Sequence, residues 1–203
     1  MVAELVLFLK LADFPILQDT QSLIMRFSFV FLFISTTYAS SLGHGCSSPL
    51  PGGLLSCSKA LEHNPKTVAA LVDSYAQVVG NYSEALAQSF LFEDFKDISD
   101  SINVLAGIPL GSVTFPSKQA FMASQETQLK IPVLVTGTYA VTRDTVVIRY
   151  TQTFGAGKAV AGVAILAFTC HQDDRQWKLK EINTEFNSLV YFQNVGGSCV
   201  GPS

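Results

Sequence analysis

The stretch Phe92–Asn103 reads FEDFKDISDSIN, and it separates a helix-patterned part of the chain from a strand-patterned part. It holds four carboxylates in a chain whose charged residues amount to only 14%. Its alternation approaches a period of two, which is typical of a strand. If Ile98 and Ile102 face the core, Asp100 lies between them in the apolar interior and Asp97 points outward, whereas a slip of one residue reverses this assignment. The alternative interpretation is a solvated acidic rim.

Two helical patterns precede this stretch, and a single short one interrupts the strand patterns that follow it. Apolar residues of Lys66–Val79 recur at helical spacing between a proline and a glycine, which predicts an amphipathic helix. A second helix is predicted over Glu84–Leu91. A third follows over Lys118–Ser124, with Phe121 facing inward.

Strand patterns dominate the remainder of the chain. The predicted strands are Val113–Phe115, Val133–Val141, Asp144–Phe154, Ala159–Cys170 and Gln176–Phe192. The last four are joined by short turns and should form an antiparallel meander. A bulge near Glu181–Asn183 would let apolar residues from both faces of the last strand share one core. The expected fold is α+β: a cone-shaped, curved antiparallel sheet packed on three helices, with a pocket between the layers.

The N-terminal segment predicts export. Met25 and Arg26 precede the apolar run FSFVFLFI and the small-residue site Thr37–Ala39, the pattern of a signal peptide. The predicted organisation is an extension or leader over residues 1–24, a signal peptide over 25–39, an irregular cysteine-tied arm over 40–64, the domain over 65–196 and a tail over 197–203. The predicted location is secreted and extracellular.

The four cysteines all follow the predicted cleavage site, and their even number in a secreted chain favours disulfides. Three pairings are open. The preferred one joins Cys46–Cys57 within the arm and Cys170–Cys199 between the sheet and the tail.

Several classes of function lack a signal in the sequence. A net charge of −3 shows no electrostatic footprint for nucleic acid, and no apolar run is long enough for a transmembrane helix, so no membrane association is expected after signal cleavage. Neither a metal site nor a cofactor motif is recognisable, and none is predicted. Asn81 begins the sequon Asn-Tyr-Ser, a candidate glycosylation site, although Asn or Ser there can equally cap the next helix.

Three motifs of the chain are DISDSINVLAGIPLGSVTFPSKQAF (Asp97–Phe121), TFG (Thr153–Gly155) and TEFNSL (Thr184–Leu189). They resemble the nuclear transport factor 2-like superfamily, which includes SnoaL-like polyketide cyclases, and more closely a group of secreted fungal proteins with that domain. The resemblance covers roughly Pro65–Gly196. It implies a pocket between helices and sheet but no fixed chemistry. Dimerisation through the open sheet face is common in that superfamily, and the sequence leaves a homodimer undecided.

A general base in such a pocket needs a desolvated carboxylate and a nearby hydrogen-bond donor. Asp100 is the first candidate base and Asp97 its rival. Tyr75 on the first helix is the candidate donor. The alternative is that Tyr75 is an ordinary core residue whose hydroxyl is hydrogen-bonded within the fold. The full set of predicted pocket residues is Ile98, Ile102, Asn103, Phe121, Tyr150, Glu185 and Asn187. Tyr150 and Arg149 lie on opposite faces of one strand, and Tyr150 is favoured for the inner face. For Glu185 and Asn187 the alternative is an exposed polar stripe.

The favoured function is a secreted protein of unassigned activity that binds a small apolar ligand or acts as an interaction protein. The alternative is a cofactor-free lyase, isomerase or cyclase that uses a pocket carboxylate as general base. The two differ in whether a carboxylate and a donor converge inside the fold.

Overall fold

The structure, a computed structural model, describes residues 55–198. The predicted extension, the signal peptide, most of the arm, Cys46 and Cys199 lie outside the described residues and stay predictions.

Five helices and six strands follow a short 3₁₀ turn at Leu61–His63. The helices are α1 (Pro65–Gly80), α2 (Glu84–Phe90), α3 (Asp100–Ala106), α4 (Lys118–Thr127) and α5 (Ser188–Asn194). The strands are β1 (Leu91–Ile98), β2 (Val113–Phe115), β3 (Leu134–Val141), β4 (Thr145–Thr153), β5 (Ala159–Cys170) and β6 (Trp177–Phe186). Within residues 55–198, no helix has the length and apolar character needed to cross a membrane.

All six strands form one sheet in the order β2-β1-β6-β5-β4-β3. The neighbouring pairs are antiparallel except β1 and β6, which run parallel. The α+β class is therefore confirmed, but the sheet is mixed and not wholly antiparallel. The hairpin with β5 sets the direction of β6. As a result, β6 lies beside β1, whose paired residues precede it by 85 to 88 positions, and the two strands run the same way.

Helix α1 covers the inner face of the sheet. Asn64 caps it by accepting a hydrogen bond from the Thr67 N–H, and its buried stripe includes Leu71, Tyr75 and Val78. This stripe belongs to one continuous apolar core with the inward residues of β4, β5 and β6. The helical periodicity of the sequence thus predicted both the element and its buried face.

A bulge in β6 lets residues of both parities reach the core. Ala167 pairs with Glu181 and Phe168 with Leu179, so Lys180 is the extra residue. Trp177 and Leu179 lie on the buried side before it, and Ile182 does so after it. The predicted bulge is present, one residue before the predicted position.

Two segments with a strand pattern in the sequence are helical in the structure, namely α3 and α5. The strand predicted to continue to Phe192 ends at Phe186, because the Asn187 side chain accepts from the Val190 N–H and begins α5. Similarly, the Ser99 side chain accepts from the Ile102 N–H and begins α3, which ends the strand pattern of the acidic stretch at Ile98.

The described disulfide joins Cys57 to Cys170, with Cα atoms 5.6 Å apart. It contradicts both preferred pairs, Cys46–Cys57 and Cys170–Cys199. The reason lies in the arm: Ser56 forms a β-bridge with Gln176, and the Cys57 N–H donates to the Arg175 carbonyl. These backbone contacts place the arm beside the β5–β6 hairpin, so a partner distant in sequence is the near one in space.

Loss of this disulfide should destabilise the domain strongly. The bond closes a sequence separation of 113 residues, for which the chain-entropy relation gives about 4–5 kcal/mol. Denaturant unfolding of the C57S/C170S variant should show a loss of that order against wild type. Peptide mapping without reduction should recover a Cys57–Cys170 peptide, and recovery of Cys57 joined to Cys46 would contradict the pairing.

Candidate functional site

Asp97 is the buried carboxylate of the acidic stretch. Phe95 and Asp97 share the inner face of β1, where Asp97 is 3% exposed, while Ile98 is only half-buried. The predicted register was therefore wrong by one residue. The Phe95 side chain, which is larger than isoleucine, determines the register of β1. Its ring packs edge-on against Phe121 with 5.1 Å between centroids and fills the core position that was predicted for the isoleucines.

Burial changes the acidity of Asp97. Desolvation raises its pKa to about 7; a hydrogen bond from the Ile98 backbone opposes this rise, and the nearby Glu185 charge adds to it. Its Oδ1 atom is buried and has no hydrogen-bond partner in the described part of the chain. A buried carboxylate with a free oxygen and a pKa near neutrality can accept or release a proton at physiological pH.

Two phenols and a hydroxyl complete a polar cluster around Asp97. The Tyr150 hydroxyl lies 3.1 Å from Thr184 Oγ1, and Thr184 in turn donates to the Val163 carbonyl at 3.1 Å. Tyr75 lies near the same hydroxyl, since Thr184 and Tyr150 both affect the pKa of its phenol. A hydroxyl has one proton and two lone pairs, so Thr184 accepts from Tyr150 when its own proton goes to Val163.

The phenols keep their protons because the cluster is desolvated. Burial raises the pKa of Tyr150 to about 12 and that of Tyr75 well above its ordinary value, and Asp97 contributes a further rise to both. Asp97 pairs with Ile182, two residues before Thr184 on β6, and Thr184 in turn contacts Tyr150, so these groups lie at neighbouring positions of the sheet. We call Asp97, Tyr75, Tyr150 and Thr184 the Asp97 cluster.

Tyr150 occupies its place because its neighbour on β5 is Gly162. The two residues are paired across β4 and β5, and a Cβ at position 162 would collide with the Tyr150 ring. Arg149 is exposed on the opposite face, as the alternation predicted.

Asp100, the first candidate base, is a loop anchor. It is the first residue of α3, and its Oδ1 accepts from the Gly111 N–H at 2.7 Å. Asn103, predicted to line the pocket, is buried but structural, since its amide donates to the Ser112 carbonyl and its oxygen accepts from Thr114. Neither residue belongs to the Asp97 cluster.

Glu185 and Asn187 are helix caps. Glu185 accepts from the backbone N–H groups of Asp100 and Ser101, each at 2.8 Å, and from the Ser101 hydroxyl. Asn187 caps α5 and is exposed. The polar stripe predicted on one face of a long last strand is absent because the strand ends between these two residues.

The three apolar residues predicted to line the pocket are not members of the Asp97 cluster. Ile98 and Ile102 are half-buried, and Phe121 lies in the apolar core against Phe95 and Phe115. Thr184 was missed because nothing in TEFNSL distinguishes an inward hydroxyl from an outward one. The alternation of β6 after the bulge is the signal that could have found it.

The described part of the chain has a surface depression of about 540 Å³ on the outer face of the sheet, which includes Tyr139, Arg149, Val163 and Glu185. A smaller depression lies beside the Cys57–Cys170 disulfide. Neither includes a member of the Asp97 cluster. All four members of the cluster are buried, with exposed fractions of at most 6%, so the cluster is closed in this conformation.

The described residues hold no group of three or more side chains arranged to bind a metal ion. Asn81 is exposed at the end of α1, and Ser83 makes no side-chain cap, so the capping interpretation of the sequon is not realised. Its glycosylation stays a prediction, as does the homodimer.

The sequence matches a family model described as an NTF2-like domain over residues 63–198, about two thirds of the chain. The chain belongs to the NTF2-like family. A search of curated proteins finds no match.

Solved structures with similar coordinates include IdmH, a candidate polyketide cyclase from Streptomyces antibioticus, with 10% identity, a TM-score of 0.46 and coverage of 63% of this chain and 97% of that one. A candidate isomerase of the SnoaL-like family from Agrobacterium tumefaciens has 8% identity, a TM-score of 0.42 and coverage of 59% and 96%. An NTF2-like protein of unknown function from Mesorhizobium loti has 18% identity, a TM-score of 0.43 and coverage of 59% and 89%.

The stability of this NTF2-like domain should fall as the pH rises through the window in which Asp97 ionises. Its pKa is about 7 in the folded protein against an ordinary 3.8. Between about pH 4 and 7 the folded state therefore binds one proton more than the unfolded chain, and the unfolding free energy should decline by on the order of 4 kcal/mol across it. Urea unfolding of D97N from pH 4 to 8 should lack this decline. The D100N variant should retain it, and an equal decline in D97N would contradict the assignment.

Removing Glu185 should destabilise α3. The E185A variant loses charge-assisted hydrogen bonds to two backbone N–H groups, at a cost of roughly 2 kcal/mol. Glu181 on the same strand makes a partly exposed ion pair with Lys96 at 3.0 Å, so the matched E181A variant should cost less than about 1 kcal/mol. Urea unfolding at neutral pH compares them, and equal losses would remove the special role of Glu185.

Proposed function

We propose that this protein binds a small, mainly apolar carbonyl compound at the Asp97 cluster and catalyses a proton transfer on it, as an isomerase, lyase or cyclase whose proton-transfer groups are its own side chains. One observation carries the proposal: Asp97 Oδ1 is buried without a hydrogen-bond partner in the described part of the chain. Leaving such a group unpaired costs free energy, and a bound molecule that presents a proton would offset the cost.

The acidity of Asp97 suits this role. With a pKa of about 7, a substantial fraction of the carboxyl is ionised at neutral pH and can accept a proton from carbon. Because the same group is protonated after this step, it can return the proton to a different atom of the ligand. Return to another carbon gives isomerisation, and transfer to a leaving group gives elimination.

The tyrosines would stabilise the charge that forms on the ligand oxygen. Tyr150 is hydrogen-bonded to Thr184 in the closed structure, and Tyr75 lies near both. A ligand oxygen in place of Thr184 as the acceptor would keep the Tyr150 donor satisfied and receive the developing negative charge, with Tyr75 as a second donor. Their raised pKa values keep both phenols protonated, so they act as donors at neutral pH.

The apolar surroundings define the ligand class. Phe95 and Ile182 are fully buried on the inner face of β1 and β6, next to Asp97 and Thr184 in the two strands. A ligand with one polar group facing the cluster and an apolar body matches these walls, whereas a strongly charged ligand would lose its hydration without compensation.

A non-catalytic binding protein is the second candidate. It is favoured by the hydrogen bonds from Tyr150 to Thr184 and from Thr184 to the Val163 carbonyl, which satisfy both hydroxyl groups without any ligand. In that case a ligand would be held without proton transfer.

Proton transfer can be tested without knowing the natural substrate. Wild-type protein is incubated in D₂O with a panel of apolar ketones and enones, and proton NMR follows deuterium incorporation next to the carbonyl. At least one compound should exchange, and D97N should slow that exchange by about 10²–10⁴-fold. The matched D100N variant keeps an oxygen acceptor for Gly111 and should exchange at the wild-type rate.

Binding of the same panel, followed by thermal shift, separates the two candidates. Binding without exchange in wild-type protein would favour the non-catalytic function. Equal exchange by wild type and D97N would overturn the role of Asp97.

A further inference from the structure

The Asp97 cluster lies at one end of the sheet. Asp97 is the penultimate residue of β1, Thr184 is two residues before the end of β6, and Tyr150 is three before the end of β4. The two helices at this end are α3, which follows β1, and α5, which follows β6.

Helix α5 lies at this end of the sheet and is mostly half-buried. Among its seven residues only Asn194 is fully buried, and Leu189 is 63% exposed. The Tyr191 ring packs on Phe186 at 5.3 Å and on Phe154 at 4.7 Å between centroids, next to the ends of β6 and β4. A helix this short is not stable alone, so its position depends on what holds its ends.

Asn194 makes three of the four hydrogen bonds that join the C-terminal end of α5 to the β4–β5 turn. Asn194 Nδ2 donates to the Lys158 carbonyl at 2.7 Å, and its Oδ1 accepts from the Lys158 N–H at 3.1 Å. The Asn194 carbonyl accepts from the Ala156 N–H at 3.2 Å. We call these contacts between Asn194 and the β4–β5 turn the Asn194 latch.

The turn is shaped to receive this residue. Gly155 has a φ of +54°, and a Cβ there would collide with the Asn194 carbonyl, so a side chain is excluded on both counts. The TFG motif therefore serves the contact with α5 as well as the hairpin turn. All three backbone groups that the turn offers are polar, so water can replace Asn194 when the latch opens.

Helix α3 is held more firmly over the same end. Its N-terminus is bound by the Glu185 carboxylate, and the Ser101 hydroxyl bridges Glu185 and the Phe186 carbonyl. Opening α3 would break charge-assisted hydrogen bonds, whereas opening α5 would break neutral ones.

We propose that α5 is the lid of the Asp97 cluster and that release of the Asn194 latch admits the ligand. This inference rests on the proposed function, since it takes the Asp97 cluster as the ligand site. Opening swings Tyr191 away from Phe154 and Phe186 and uncovers Tyr150, and closure restores the desolvated environment that proton transfer by Asp97 needs.

The lid can be tested without a ligand, through the reactivity of the tyrosines. Tetranitromethane nitrates accessible phenols, and peptide mass spectrometry measures the rate at each tyrosine. Tyr139 is 68% exposed and serves as the internal reference, while Tyr150 reports opening. The N194A variant should raise the Tyr150 rate relative to Tyr139 by about tenfold, because two latch hydrogen bonds are lost.

Two control variants separate opening from general loss of stability. Q193A removes only the exposed contact between Gln193 and Lys158 Nζ and should change the ratio less than about twofold. V72A creates a cavity under α1, far along the chain from the latch, and should leave the ratio unchanged while lowering the stability. An unchanged ratio in N194A, or an equal rise in V72A, would overturn the lid.

Native-state hydrogen exchange of the wild-type protein gives a second readout that needs no variant. The amide of Tyr191, bonded within α5, should exchange through a smaller opening free energy than the amide of Leu166 in the core of β5. Equal protection of the two would also overturn the lid. Because neither measurement uses a substrate, a lid without catalysis and catalysis without a lid are both recognisable results.

Discussion

The parallel contact between β1 and β6 is the constraint on which the rest of the molecule depends. It places Asp97 opposite Ile182 and Ile98 opposite Asn183, so the end of the acidic stretch lies beside the end of the last strand. Both the buried carboxylate next to Thr184 and the helix cap supplied by Glu185 require this alignment. A shift of one residue would expose Asp97 and break the cap of α3 at the same time.

The carboxylates near this contact divide into two roles according to their solvation. Asp100 and Glu185 accept backbone hydrogen bonds at the surface and hold α3 with its following loop. Asp97 has an oxygen without such a partner in the described part of the chain, and burial brings its pKa to about 7. Two of these acidic residues thus stabilise the fold, whereas the burial of Asp97 costs free energy, and this cost is the observation behind its proposed role.

Closure and reactivity are linked at the same end of the sheet. Desolvation gives Asp97 and the tyrosines their shifted pKa values, so a permanently open site would lose the acidity that proton transfer needs. A permanently closed site would admit no ligand. The proposed lid, a short helix held by neutral hydrogen bonds to a glycine turn, would meet both requirements by closing the interior at a small free-energy difference from the open state.

Local patterns determine most of the secondary structure of this chain: the periodicity of α1, the strand Val113–Phe115 and the inward side of Tyr150 follow from residue spacing alone. The resemblance of its motifs predicted the NTF2-like family, which the family model confirms. Three features depended on tertiary structure. The larger Phe95 ring took the core position and turned Asp97 inward, Glu185 reached α3 across 84 residues of sequence, and the arm brought Cys57 to Cys170. Each results from competition between distant groups for one place in space, which spacing along the chain does not encode.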